Sequence, residues 1–343
     1  MEKMGRILTL FVVILALAAS PVFSQSSDFS ISDLTGAVDG FSDAIAKALP
    51  FNSTMGLNWS DAYIGQLIGV PPHFGFGLSF GSTSMNIGAV SGVANMLGFN
   101  IPSQFPIGFP LPGYTLEARI GGFIIPFDIG FKFGFLDMKT SSIPVVNGLG
   151  MNVGLNYQLL GADIRYAVID SELIPVKLSV GAAFNRLTGG VSTKANGMGK
   201  SFDFKDSANS DHTLSFDDPN LDLSWETTSL ELRAHVSFPV LLITPYAGVG
   251  AGWAWSKAGY QVKSEIKVDG DPIDEEFYDA IKGFGVSGIG PNGFESFREI
   301  NNFHMRLYAG ISFNLAVIKI DLTGMFNIMD PGFGFTMGLR FQL

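Results

Sequence analysis

The sequence contains no cysteine, which excludes a disulfide framework, a lipobox thiol, Cys-based metal sites and Cys nucleophiles. It is also short of charge: 15% of residues are Asp, Glu, Lys or Arg, against about 25% in an ordinary soluble domain. Long apolar runs are missing beyond Ile7–Ala19, and a membrane-spanning helix needs about 20 such residues. Bases are outnumbered, 21 against 31 acids, and the net charge of −10 argues against a nucleic-acid partner. What abounds is glycine, 42 residues, and phenylalanine, 31, in a chain of 343. Such a chain is too apolar for disorder and too short of polar cover for a soluble globule. A membrane protein built from strands remains.

Residues 1–24 read as a secretory signal peptide, with Lys3 and Arg6 before the apolar core and Val22-Phe23-Ser24 at the expected cleavage point. The chain is therefore expected to leave the cytoplasm. Residues 25–50 change period: Phe29, Leu34, Val38, Phe41, Ile45 and Leu49 recur every three or four positions, which predicts an amphipathic helix over 29–49 ended by Pro50. That helix either plugs a lumen or tucks beneath a barrel.

From residue 51 to 343 the period is two. Phe127, Ile129, Phe131, Phe133 and Phe135 alternate with Asp128, Gly130, Lys132 and Gly134, and Phe303–Leu315 alternates with His304–Asn314 in the same way. Further alternating segments are 53–59, 74–80, 114–122, 151–157, 162–168, 176–184, 230–238, 247–255, 318–328 and 333–343. The expected fold is all-β, a transmembrane antiparallel barrel of about twelve strands, with ten or fourteen as alternatives. A soluble sandwich also alternates, but rarely over such long strands with Phe-rich outer faces.

Parity places both chain ends on the periplasmic side and the acidic stretches 187–226 and 257–302 outside, as long extracellular loops. On the same count 82–113 falls on the periplasmic side, as a plug, a cap or an uncounted hairpin. A charge at Phe131 or Val180 should cost about 2–4 kcal/mol near the bilayer midplane, and one at Gly130 or Ser179 should be tolerated far better. Gly248, Gly250 and Gly252 leave a smooth inner strip on which a helix could dock.

The inward positions carry Glu117, Arg119, Asp128, Lys132, Asp163, Arg165, Lys177, Glu231, Arg233, Arg306, Lys319, Asp321 and Arg340. These residues either pair across strands as a structural network or line a water-filled pore, where their basic excess would favour anionic or zwitterionic solutes. No catalytic residue, metal ligand or cofactor is expected. The four histidines lack metal-ligand spacing. His235 and Ser237 resemble the His-x-Ser pair of outer-membrane phospholipases, but face inward at the periplasmic end with no Asn on strand 241–256. Asp211 and His212 resemble the acid–His pairing of outer-membrane proteases, yet adjacent strand residues point to opposite faces.

With the signal at 1–24 and the terminal strand in view, the chain resembles the bacterial outer-membrane β-barrel class. Phe333, Phe335, Met337, Leu339, Phe341 and Leu343 look like the assembly signal such barrels show to their insertion machinery. The helix ahead of the barrel is similar to that of the FadL-like hydrophobic-compound channels, though their Asn-Pro-Ala motif is absent and no residue is carried over. The resemblance implies outer-membrane lipids and the barrel-assembly machinery as partners. Two functions are expected: a porin-like or plugged channel for small solutes, or a structural, surface-interaction barrel with a filled lumen and acidic loops.

Overall fold

A computed structural model describes residues 31–68, 72–86, 108–139, 152–170, 175–194, 200–205, 211–216, 220–263, 266–272, 289–290 and 293–343. Residues 1–24, expected as a signal peptide, and residues 87–107 of the 82–113 segment lie outside these residues. One helix, α1 (Ile31–Ser53), precedes the strands.

The strands are β1 (Phe74–Met85), β2 (Phe109–Gly121), β3 (Phe127–Lys139), β4 (Asn152–Ile169), β5 (Lys177–Lys194), β6 (Lys200–Lys205), β7 (Asp211–Phe216), β8 (Asn220–Ser237), β9 (Ile243–Lys263), β10 (Ile266–Val268), β11 (Asp271–Pro272), β12 (Ile289–Gly290), β13 (Gly293–Leu315), β14 (Ile318–Asn327) and β15 (Gly332–Gln342). Ten of them, β1–β5, β8, β9 and β13–β15, form one antiparallel sheet that closes through β9–β13 and through the seam between β1 and β15. Closure leaves no unpaired edge in the wall. At the seam the Leu343 amide donates to the Phe74 carbonyl at 3.0 Å.

The wall has ten strands, the smaller of the two alternatives, rather than twelve, for two reasons. Segments 151–157 and 162–168 are one strand, β4, of 18 residues. Segment 53–59 is no strand at all: it follows α1, with Gly56 and Leu57 both at positive φ (80° and 57°). Removing these two moves 82–113 to the opposite rim, so the β1–β2 connection joins the other long loops. One rim then carries the short connections 122–126, 170–176, 238–242 and 316–317. The other carries 86–108, 140–151, 195–219 and 264–292.

Wall height is uneven. β14 and β15 have 10 and 11 residues, whereas β9 and β13 have 21 and 23. A tilted strand of about 9–11 residues crosses a bilayer, so the short pair matches an apolar band and the long pair stands well above it. The outer surface follows suit. Phe76, Leu116, Phe131, Leu160, Ile164, Leu232 and Phe335 are exposed around the band. Higher on the same face, Arg186 meets Glu226 at 3.7 Å and Lys257 meets Glu299 at 2.9 Å. Above the band the inner face turns apolar instead: Leu155, Leu159, Leu187, Val191, Leu223 and Tyr260 are buried.

α1 fills that upper inner space, packing on β8, β9 and β13 and presenting Phe41, Ala44, Ile45, Ala48 and Leu49 as buried residues. Pro50 does not end it. The helix runs on to Ser53, whose hydroxyl donates to the Pro50 carbonyl at 2.7 Å, and Thr54 Oγ1 donates to the Phe51 carbonyl at 2.7 Å. Proline removes one helical bond, and these hydroxyls satisfy carbonyls in the same last turn.

The acidic stretches are more ordered than solvated loops. β6 and β7 come from one and β10 and β11 from the other, and they pair in the order β11-β10-β7-β6 as a second sheet. Asp269 Oδ1 accepts the Thr213 amide at 2.7 Å, and the Asp269 amide donates back to the Thr213 carbonyl at 2.9 Å.

The outer band gives a first expected result. In a lipid bilayer, Phe131→Arg should destabilise the barrel by about 2–4 kcal/mol if the band is the part that lipid covers. Arg at exposed Asn156, which neighbours Asp137 above the band, should be neutral, as read by denaturant unfolding in lipid vesicles. Equal costs would contradict the band's position. Gly130, by contrast, is not the tolerant site that the pattern suggests. A Cβ there would crowd Asp163 Oδ1 and the Arg119 guanidinium, because the lumen is filled.

Candidate functional site: the lumen and its plug

After α1, residues 54–64 descend through the lumen with almost no exposure: Met55, Leu57, Trp59, Ser60 and Ala62 are all buried. Gly56 lets the chain pass close to β2, since a Cβ there would strike Thr115 and Glu117. The segment has no ladder of its own, so its backbone groups need wall partners.

The wall supplies them in layers. Lys132 Nζ donates to the carbonyls of Ser53 and Met55 at 2.7 and 2.6 Å, placing a cation at the negative end of α1. Arg306 forks onto Glu231 at 2.8 and 3.3 Å, and its Nη1 reaches Asn58 Oδ1 at 3.1 Å. Trp59 Nε1 donates to Glu117 Oε2 at 2.5 Å. Its ring lies between the Arg119 and Arg340 guanidinium groups, 5.5 and 4.7 Å from the ring centroid.

Below this sits the densest charge cluster. Arg119 bonds Asp128 and, at 2.8 Å, both oxygens of Asp163. Arg165 forks onto Asp128 at 2.8 Å through both nitrogens, while its Nη1 donates to the Asp61 carbonyl at 2.6 Å. Asp128 Oδ2 also accepts the Ile64 amide at 3.1 Å. Arg233 bridges Asp163 at 3.2 Å and Glu231 at 3.6 Å.

Near the short-turn rim Arg340 reaches Asp321 at 2.6 Å, Ser60 Oγ at 2.6 Å, Asp61 at 2.9 Å and Gln342. Lys319 holds the other side of Asp61 at 2.8 Å. His235 joins the Tyr308 hydroxyl and the Ser60 carbonyl, each at 3.0 Å, and Ser237 Oγ accepts the Ala62 amide at 3.1 Å. The His-x-Ser pair is thus engaged by the plug.

Twelve of the inward charges meet in this network: Glu117, Arg119, Asp128, Lys132, Asp163, Arg165, Glu231, Arg233, Arg306, Lys319, Asp321 and Arg340. Lys177 stands apart at the short-turn rim, half-exposed and paired with Asp170 at 2.7 Å. Sequence reasoning missed the plug's own contributors, Asn58, Trp59, Ser60 and Asp61, because 53–59 was read as wall. The glycine strip also serves a different purpose from the one expected. A Cβ at Gly248 would strike Tyr308, and one at Gly250 would overlap Glu231, so the missing side chains make room for neighbouring strands' residues.

The inward bases outnumber the inward acids, and the plug absorbs the difference. Asp61 and the carbonyls of Ser53, Met55 and Asp61 take the surplus donors. A lumen void beside Leu57, Arg165, Ser179, Arg233 and His235 has about 10 Å³, room for a single water. A larger groove of about 570 Å³ lies on the outer wall, lined by Leu116, Ala118, Phe131, Phe133, Leu160 and Phe184.

Among solved structures, the chain is similar to the outer membrane protease OmpT of Escherichia coli at 10% identity and TM-score 0.39, covering 80% of this chain and 97% of that one. The attachment invasion locus protein Ail of Yersinia pestis matches at 11% identity and TM-score 0.28, over 79% of this chain and 97% of that one. The transport unit of the autotransporter AIDA-I of Escherichia coli matches at 10% identity and TM-score 0.34, over 88% and 97%. No curated protein sequence matches. The chain is a closed antiparallel β-barrel of ten wall strands. The Lsa36-like family profile covers residues 52–343, from the plug to the last strand, and the chain belongs to that family.

Proposed function

We propose that this protein resides in the bacterial outer membrane as a barrel closed at rest, and that it acts through its loop face rather than by passing solutes. The observation that carries this reading is the direction of the surplus cations. Lys132, Arg165, Lys319 and Arg340 are all turned onto the plug, so these inward cations are engaged rather than free to select a solute. The tall strands and the sheet formed by β6, β7, β10 and β11 raise folded chain above the band, within sequence stretches that are acidic overall, which suits contact with other molecules. The terminal strand, with Phe333, Phe335, Met337 and Leu339 exposed on the outer face, is the part that the assembly machinery would read.

A second reading, the channel, is favoured by the polar character of the plug's attachments. If the segment were displaced, its wall partners would be rehydrated rather than left as bare apolar surface. Liposome swelling separates the two at rest. Vesicles holding the full-length protein should swell in small sugars or amino acids no faster than empty vesicles. Porin-like swelling would contradict the closed barrel.

A further inference from the structure

The plug enters the first strand from the short-turn rim. There the Leu67 amide donates to the Gly122 carbonyl at 2.8 Å, Gln66 Nε2 donates to the Ile124 carbonyl at 2.8 Å, and the His73 amide donates to the Gln66 carbonyl at 3.3 Å. Followed backwards, the chain climbs. Ala62 lies beside Ser237, Trp59 beside Glu117 and Ser53 beside Ser229, halfway up β8. Asp39 then meets Ser296 at 2.7 Å and Arg298 at 2.6 Å, at the long-loop end of β13. The fourteen helical steps from Ser53 to Asp39 rise about 21 Å. A chain ahead of α1 could return to the short-turn rim only by descending the same lumen. That lumen is occupied by 54–64, with a void of about 10 Å³ beside it.

We infer that the barrel is threaded by its own N-terminal segment, so that the residues ahead of α1 lie in the same compartment as the long loops. The inference departs from the expectation that both chain ends share the short-turn side. In the closed barrel Arg340 of the last strand bonds Ser60 and Asp61 while that strand pairs with the first, so the seam encircles the segment. Resting on the outer-membrane reading, the inference makes the N-terminal segment part of the cell-surface face. The barrel thereby has a further function, carrying its own N-terminal segment across the membrane for display beside the acidic loops.

The absence of cysteine allows a clean test by single substitutions labelled with a membrane-impermeant maleimide on intact cells. Gly40 is exposed, and a Cβ there meets nothing within 4 Å, so Gly40→Cys reports the mouth end of α1. Ser27→Cys reports the chain ahead of it. Asp271→Cys, in exposed β11, marks the long-loop side, and Ile124→Cys, 82% exposed between β2 and β3, marks the other. Gly40→Cys and Ser27→Cys should label on intact cells as Asp271→Cys does, with Ile124→Cys labelling only after permeabilisation. Labelling of Gly40→Cys and Ser27→Cys only alongside Ile124→Cys, or not at all in permeabilised cells, would overturn the threading while leaving the barrel's orientation standing. Failure of both Asp271→Cys and Ile124→Cys to label on intact cells would remove the outer-membrane reading and the inference together.

Discussion

Asp128→Ala is expected to destabilise the barrel by about 3–5 kcal/mol, the usual cost of leaving buried charge without its partner. Its side chain is fully buried and accepts from Arg119, from two nitrogens of Arg165 and from the Ile64 amide. Deleting it removes the carboxylate shared by Arg119 and Arg165, leaving Arg119 to Asp163, which Arg233 also bridges. It also frees the plug at its lower end. Asp128→Asn keeps acceptor atoms but not the charge and should fall between. Lys177→Ala, at the half-exposed pair with Asp170, should cost about 0–1 kcal/mol. The check is the temperature at which the compact, fast-migrating form is lost on detergent gels. An Asp128→Ala barrel as heat-resistant as Lys177→Ala would contradict the network's role.

Arg340→Ala should be comparably severe, again about 3–5 kcal/mol, with a more local signature. One side chain on β15 ties together Asp321, Asp61, Ser60 and Gln342 and lies over Trp59. Lys319 keeps Asp61 partly paired after the loss, so the greater effect falls on the grip between wall and plug. Amide hydrogen exchange at 60–64 should accelerate more than exchange in β3 or β4. Arg340→Lys should restore only part of the protection, because an ammonium cannot reproduce a planar fork shared among several acceptors. Full rescue by lysine would mean that charge alone holds the segment.

The strands' outward faces were legible because a closed wall with an apolar outer face and a polar inner one imposes strict alternation, and Phe131, Val180 and Leu232 lie where that pattern puts them. The strand count was not, and β4 shows the cause. Within the band Ile164 and Tyr166 point out, whereas above it Leu155 and Leu159 point in toward the space that α1 fills. One strand with inverted polarity therefore reads as two of opposite phase. Segment 53–59 alternates for an unrelated reason: Met55, Leu57 and Trp59 are buried within the lumen, where every side is covered. The inward charges followed from period alone. Their partners did not, because Ser60, Asp61 and the plug carbonyls sit on an irregular segment whose path only the closed wall defines. The lower network was half readable in this sense, its wall residues visible and its occupant hidden.

Deleting 29–49 alone would leave 54–64 in the lumen, so the informative deletion is 31–64. The measurement that bears most directly on a lumen closed by this segment is conductance in planar bilayers, comparing the full-length protein with that deletion. The full-length barrel is expected to insert without steady current. The deletion, which turns Lys132, Arg165, Lys319 and Arg340 toward water, is expected to give stable open-channel currents. Steady current through the full-length protein, or identical traces from the two, would contradict the plug.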